Sequence, residues 1–198
     1  MHRMWAMAIV LLPATAALAD PLSDAIGGKA QGICYKRNYS AEHLAKNPDQ
    51  LTHSIQLSLA PHPEGRGALA RLAIADAEGE VYSIGECFWN ASAGLGDDGK
   101  PYTATFKGGP GLDCTARASP NWAWEEEVKE GGLFVVDMRD GKSMTIHTQD
   151  EIAAWPQLNR DAPAGFYPLG PDDRIFRVDR VTPDNCMEMV DLLGWDGN

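Results

Sequence analysis

Positive charge is scarce in this chain: 17 Lys and Arg stand against 28 Asp and Glu, a formal net charge of −11 at pH 7. Nucleic acid and anionic lipid both require clustered cations that displace counterions, so neither is expected as the main partner. A basic partner is compatible with the balance, as is the simpler reading that the charge serves solubility. Cysteine is sparse too. The four residues, Cys34, Cys87, Cys114 and Cys186, form no CxxC pair, which leaves no zinc ribbon and no thioredoxin-type redox centre. His43, His53, His62 and His147 form no HxH or HExxH arrangement, so no metal or other cofactor is expected. His53 alone shares parity with an apolar strand face and is expected inside; surface positions are expected for the others.

The motifs of nucleotide, calcium and acyl chemistry are missing as well. Gly27-Gly28-Lys29 lacks the Walker pattern and precedes no apolar helix. No GxSxG elbow is present, so Ser119 and Ser143 have no oxyanion hole implied beside them. Asp137-x-x-Asp140-Gly141 lacks the alternate oxygen ligands and closing Glu of an EF-hand. A hairpin turn accounts for those residues.

What the chain does have begins with an apolar run from Met4 to Leu12, preceded by Arg3 and followed by Pro13 and Ala17-Leu18-Ala19. A cationic start, a short apolar run and a small-x-small ending make Met1 to Ala19 a cleavable secretory signal peptide, with the exported chain starting at Asp20. A bilayer-spanning helix needs about 20 consecutive apolar residues, so membrane insertion is not expected. Asp20 stands where a lipoprotein would need Cys. The expected location is the periplasm or outside the cell, where an even number of cysteines points to disulfides. Four cysteines allow three connectivities. The favoured one joins Cys87 to Cys114 on neighbouring strands and Cys34 to Cys186, tying the start of the fold to its end.

Residues 20–198 are expected to form one domain, mainly β. Leu51, His53, Ile55, Leu57 and Leu59 alternate with Thr52, Ser54, Gln56 and Ser58, the period of a half-buried strand. Similar stretches run from Leu69 to Ala75, Val81 to Trp89, Tyr102 to Lys107, Leu112 to Arg117, Leu133 to Met138, Ser143 to Thr148 and Ile175 to Val181. Glu78-Gly79, Asp98-Gly99, Gly108 to Gly111 and Asp140-Gly141 supply the positive φ of tight reversals. For Asp140-Gly141 a two-residue type I′ loop is expected, which sets Val135 opposite Ile146 on one face with Leu133 and Met144. A short helix capped by Ser40 runs through Lys46 and stops at Asn47-Pro48. A second begins at Thr182-Pro183-Asp184 and places Cys186, Met189, Val190 and Leu193 on one inward stripe. From Asp150 to Asp172 four prolines break the pattern, and an irregular surface segment is expected. Short, regularly spaced strands with few helices predict an antiparallel meander closed into a barrel or tightly curved sandwich.

Two places attract functional attention. Trp122, Trp124, Glu125, Glu126 and Glu127 crowd aromatics against acids. Exposed indoles beside carboxylates stack on sugar rings or receive a cationic group; the competing reading is that both indoles pack and the acids are a solvated turn. Glu86 shares parity with Tyr82, Ile84 and Phe88, so an unbroken strand sets a carboxylate among apolar side chains and makes it a candidate general acid. A bulge at Gly85 would swap those faces and leave Glu86 exposed or paired.

No family motif stands in the sequence. The resemblance is architectural, to small, acidic, disulfide-bearing β proteins of the periplasm, which include inhibitors of cationic lysozymes. The expected function is that of a non-catalytic periplasmic binding or inhibitor-like protein engaging a cationic protein or a glycan through Trp122 to Glu127. The alternative is a periplasmic hydrolase using carboxylates such as Glu86 or Glu125, which needs two carboxyl groups about 5 to 9.5 Å apart in one cleft.

Overall fold

A computed structural model describes Ile26 and residues 32–62, 67–118, 129–138, 141–156 and 164–193; of residues 129, 130, 156 and 190–193 it describes the backbone alone. The expected signal peptide and the Trp122 to Glu127 stretch therefore lie outside the described residues. Among those described, the strands are β1 (Ile33–Asn38), β2 (Ser54–Pro61), β3 (Ala68–Ala75), β4 (Glu80–Ala93), β5 (Gly109–Ala118), β6 (Lys129–Met138), β7 (Ser143–Thr148), β8 (Glu151–Pro156), β9 (Gly165–Pro168) and β10 (Ile175–Val181). The helices are α1 (Ala41–Lys46) and α2 (Asp184–Leu193).

Eight strands run in the order β3-β2-β1-β10-β7-β6-β5-β4, and the β3–β4 pairing closes them into an antiparallel barrel. Period-two alternation explains why it closes around a core. Ile55, Leu57 and Leu59 of β2, Leu72 and Ile74 of β3, Phe134 and Val136 of β6, and Phe176 and Val178 of β10 are each at most 2 % exposed and form one cluster. Each such aliphatic or aromatic side chain contributes about 1.5–3 kcal/mol when taken from water. A second cluster, Cys34, Ala73, Tyr82, Ile84, Ala118, Ala153, Trp155, Cys186 and Met189, joins the other face of the strands to β8 and α2. The disulfides follow this division: Cys87–Cys114 bridges directly opposed residues of β4 and β5 in the first cluster, and Cys34–Cys186 fastens α2 to β1 in the second. Both pairs are those expected from the sequence.

The helices start where capping chemistry places them. Ser40 Oγ accepts the His43 amide at 3.2 Å, and Asn47 ends α1 by donating its Nδ2 to the His43 carbonyl at 2.8 Å. The Asn185 and Cys186 amides turn back onto the Thr182 and Pro183 carbonyls, which opens α2 and buries Cys186 and Met189. No described helix is long and apolar enough to cross a membrane.

Several expectations are corrected. β2 begins at Ser54, because the Leu51 and Thr52 amides are captured by the Asp173 carboxylate before the ladder starts; Leu51 is 46 % exposed and His53 is exposed rather than interior. Residues 102–107 make no strand, since Thr103 Oγ1 accepts the Phe106 amide and Thr105 Oγ1 donates to the Arg174 carbonyl. The first is a local side-chain bond of the kind that competes with a ladder, and the second ties the segment to the distant Arg174. The segment after Asp150 holds the β8–β9 hairpin, with Pro156 and Pro168 as the last residues of their strands and β9 at the edge of the sheet. The β6–β7 register is one residue from that expected: Val136 faces Ile146 and Val135 faces His147. Gly141 does take a positive φ of 66°, but the ladder ends at Met138–Met144 and the loop is longer than two residues. One step of slip exchanges faces, and burial of Phe134 with Val136, Met144 and Ile146 decides it. Gly85 is no bulge either. The β4 ladder passes through it unbroken on both edges, and glycine is needed because a Cβ there would stand 2.0 Å from the Thr115 carbonyl oxygen.

Candidate functional site

With the ladder intact at Gly85, Glu86 keeps the parity of Tyr82 and Ile84 but not an apolar setting. Its Oε1 lies 3.6 Å from Arg117 Nη1 and 4.0 Å from His62 Nε2, and its side chain is 28 % exposed. The carboxylate is engaged with a guanidinium instead of being seated among apolar side chains. Glu86 is thus a paired carboxylate beside Phe88, which is 45 % exposed.

Other carboxylates are engaged in building the fold. Asp113 accepts from the Tyr102 hydroxyl at 2.6 Å, Asn90 Nδ2 at 2.7 Å and the Gly94 amide at 2.7 Å. Burial, then this hydrogen bond and the Asp113 charge, push the Tyr102 phenol far up. Asp173 is fully buried and accepts from the Leu51, Thr52 and Gly170 amides. Asp76 accepts from Tyr167, tying β9 to the β3–β4 turn. Among the described residues no group of three or more His, Cys, Asp or Glu is placed to hold a metal ion.

A concave surface lies elsewhere among the described residues, at the seam between β1 and β10. These strands pair only over Cys34–Lys36 and Asp179–Val181, whereas β1 pairs with β2 along all of Ile33–Asn38. Beyond Lys36 the seam parts, and α1 stands over the opening. Two adjoining grooves, ≈ 230 Å³ and ≈ 360 Å³, share Arg37, Tyr39 and His43; the smaller also takes in Gln50, Ile175 and Arg177.

Their walls are ordered by a column of planar groups. The Arg37 guanidinium lies 5.8 Å from the Tyr39 ring centroid, and the Tyr39 and His43 rings stack at 4.8 Å. Gln50 donates Nε2 to the Thr52 carbonyl at 2.8 Å, so its Oε1 accepts from His43 Nε2 at 2.9 Å. That assigns the proton to Nε2 and leaves Nδ1 of a neutral His43 as an acceptor. Burial pushes the Tyr39 phenol up to about 12, with Arg37 opposing and Asp173 adding to the rise. Its hydroxyl is a donor at any physiological pH. Arg37 Nη1 donates to Asp179 Oδ2 at 3.3 Å, while Arg177 Nε stands 4.0 Å from Asp179 Oδ1, an ion pair without a hydrogen bond.

Sequence reasoning missed this groove because Arg37 and Arg177 are far apart in the chain and carry no motif. The usable signal was the expected Cys34–Cys186 bridge, which sets β1 beside the end of β10. Of the residues singled out from sequence, Glu86 is paired as described, while Trp122, Trp124, Glu125, Glu126 and Glu127 lie outside the described residues. No family model matches the chain, and no curated protein or solved structure matches it.

Proposed function

We propose that the chain is an exported, non-catalytic binding protein of the periplasm that recognises a cationic protein through Trp122, Trp124 and Glu125 to Glu127. The observation that carries this reading is the filled interior. Tyr35, Leu57, Phe134 and Phe176 are each at most 2 % exposed, so among the described residues the eight-stranded barrel is packed with its own side chains rather than holding a ligand. Recognition then falls to the outer surface, where a net charge of −11 steers basic partners inward and repels acidic ones. The two disulfides suit an oxidising compartment, and the leader from Met1 to Ala19 supplies the route there. Residues 20–198 act as one unit in this reading.

The test is a calorimetric titration of the mature protein at physiological ionic strength with a cationic lysozyme, and in parallel with a neutral chitin oligosaccharide. Saturable one-to-one binding of the lysozyme, weakened by added salt and by the combined substitution E125Q/E126Q/E127Q, is expected. Binding of the oligosaccharide alone would replace the protein partner by a glycan. Binding of neither would overturn the reading.

A further inference from the structure

The parted seam between β1 and β10 has the donor set of an anion site, and its residues come from β1, β10, α1 and the turns beside α1 and β10, none of them from 122–127. Arg37 and Arg177 share one carboxylate, Asp179, at 3.3 Å and 4.0 Å. Each guanidinium carries five N–H donors. Of the donors on both, only Arg37 Nη1 makes a hydrogen bond among the described residues. Arg177 therefore presents an unused planar fork, the shape that binds a carboxylate through two parallel hydrogen bonds.

The surroundings favour an organic anion over a bare ion. Arg37 is held by the Tyr39 ring and by Asp179, so half of the clamp is ordered before any ligand arrives. Ile175, 49 % exposed, lines the groove and offers an apolar contact to the body of a ligand. Asp172 and Asp179 balance the two guanidiniums in sum, so recognition rests on directed hydrogen bonds, and a polyanion gains no bulk attraction. A space of ≈ 230 Å³ sits below the range of drug-sized pockets and fits a compact molecule. We propose that this groove binds the carboxylate of a small organic acid between Arg37 and Arg177, with the Tyr39 hydroxyl as a further donor and Ile175 against the ligand's body.

The experiment is an amide NMR titration of the full mature protein with sodium benzoate and with sodium glucuronate, each beside its neutral counterpart, benzamide and glucose. Saturable shifts at Arg37, Tyr39, His43 and Ile175 with a carboxylate, and none with its counterpart, are expected. Benzoate alone would identify a planar apolar acid and glucuronate alone a hydroxylated one, both within the proposal. R177Q changes an exposed side chain and is expected to weaken binding about tenfold at an unchanged melting temperature. R177K, which keeps the charge and loses the fork, is expected to fall between. No saturable shift with either acid, equal shifts with the neutral counterparts, or wild-type binding by R177Q would overturn it.

Discussion

Asp173 gathers the chain at the end of the barrel where α1 lies: one fully buried carboxylate accepts the amides of Leu51, Thr52 and Gly170, and its own carbonyl accepts Thr148 Oγ1 at 2.8 Å. Removing the acceptor leaves those donors without a partner, each at a cost of about 1–3 kcal/mol when buried. D173A is therefore expected to lose about 2–4 kcal/mol in urea unfolding, allowing for the exposure of Leu51, and D173N to lose less. Asp76 makes a second residue-scale prediction, with a pH sign. Burial raises its pKa, but the Tyr167 hydroxyl and the Glu78 and Gly79 amides outweigh that and hold it below the ordinary 3.8. A depressed carboxylate contributes stability that is complete above 3.8 and is lost as the pH falls through the folded-state value. The stability difference between wild type and D76N should accordingly be flat at neutral pH and shrink below 3.8, as followed by melting temperature across an acid series. A difference that grows on acidification would contradict it.

At the scale of elements, the two disulfides have different duties. Cys34–Cys186 spans 152 residues of sequence and Cys87–Cys114 spans 27. The longer closure restrains the unfolded chain more, and removing it by C34A/C186A is expected to cost about 2–5 kcal/mol. Because that bridge fastens α2 to β1, α2 amides should exchange much faster in the variant while β5 and β6 stay protected. Uniform acceleration across the barrel would show that α2 is not a separable element. G85A is a second test at this scale: a Cβ 2.0 Å from the Thr115 carbonyl must push β4 from β5, at about 1–3 kcal/mol measured as a lower melting temperature. Legibility in the sequence divides along the same lines. Ile55, Leu57 and Leu59, or Phe176 and Val178, could be read because period two and burial agree there. Residues 102–107 mimic the period, yet Thr103 spends its hydroxyl on the Phe106 amide and Thr105 on the distant Arg174 carbonyl. The β6–β7 register is misread from the sequence because a two-residue Asp140-Gly141 turn sets it one way, while Val135 and Val136 are equally apolar and the pattern gives no check; burial of Phe134 with Val136 fixes the other register. The seam groove was illegible for another reason: it is made by strands that stop pairing, and local sequence does not encode where a closed ladder parts.

For the whole molecule, the barrel's filling and its charge act together. Among the described residues the barrel closed by β3 on β4 is filled by one buried cluster, and a net charge of −11 is the electrostatic condition under which a basic partner is proposed. The central proposal is recognition of a cationic partner through Trp122, Trp124 and the acids that follow. The most direct measurement is the melting temperature of W122A and of W124A taken alongside their affinity for a cationic lysozyme. The account predicts weakened binding in at least one variant with the melting temperature nearly unchanged. A loss of about 3 to 5 kcal/mol of stability in both single variants, the cost of emptying a packed core position, would contradict it.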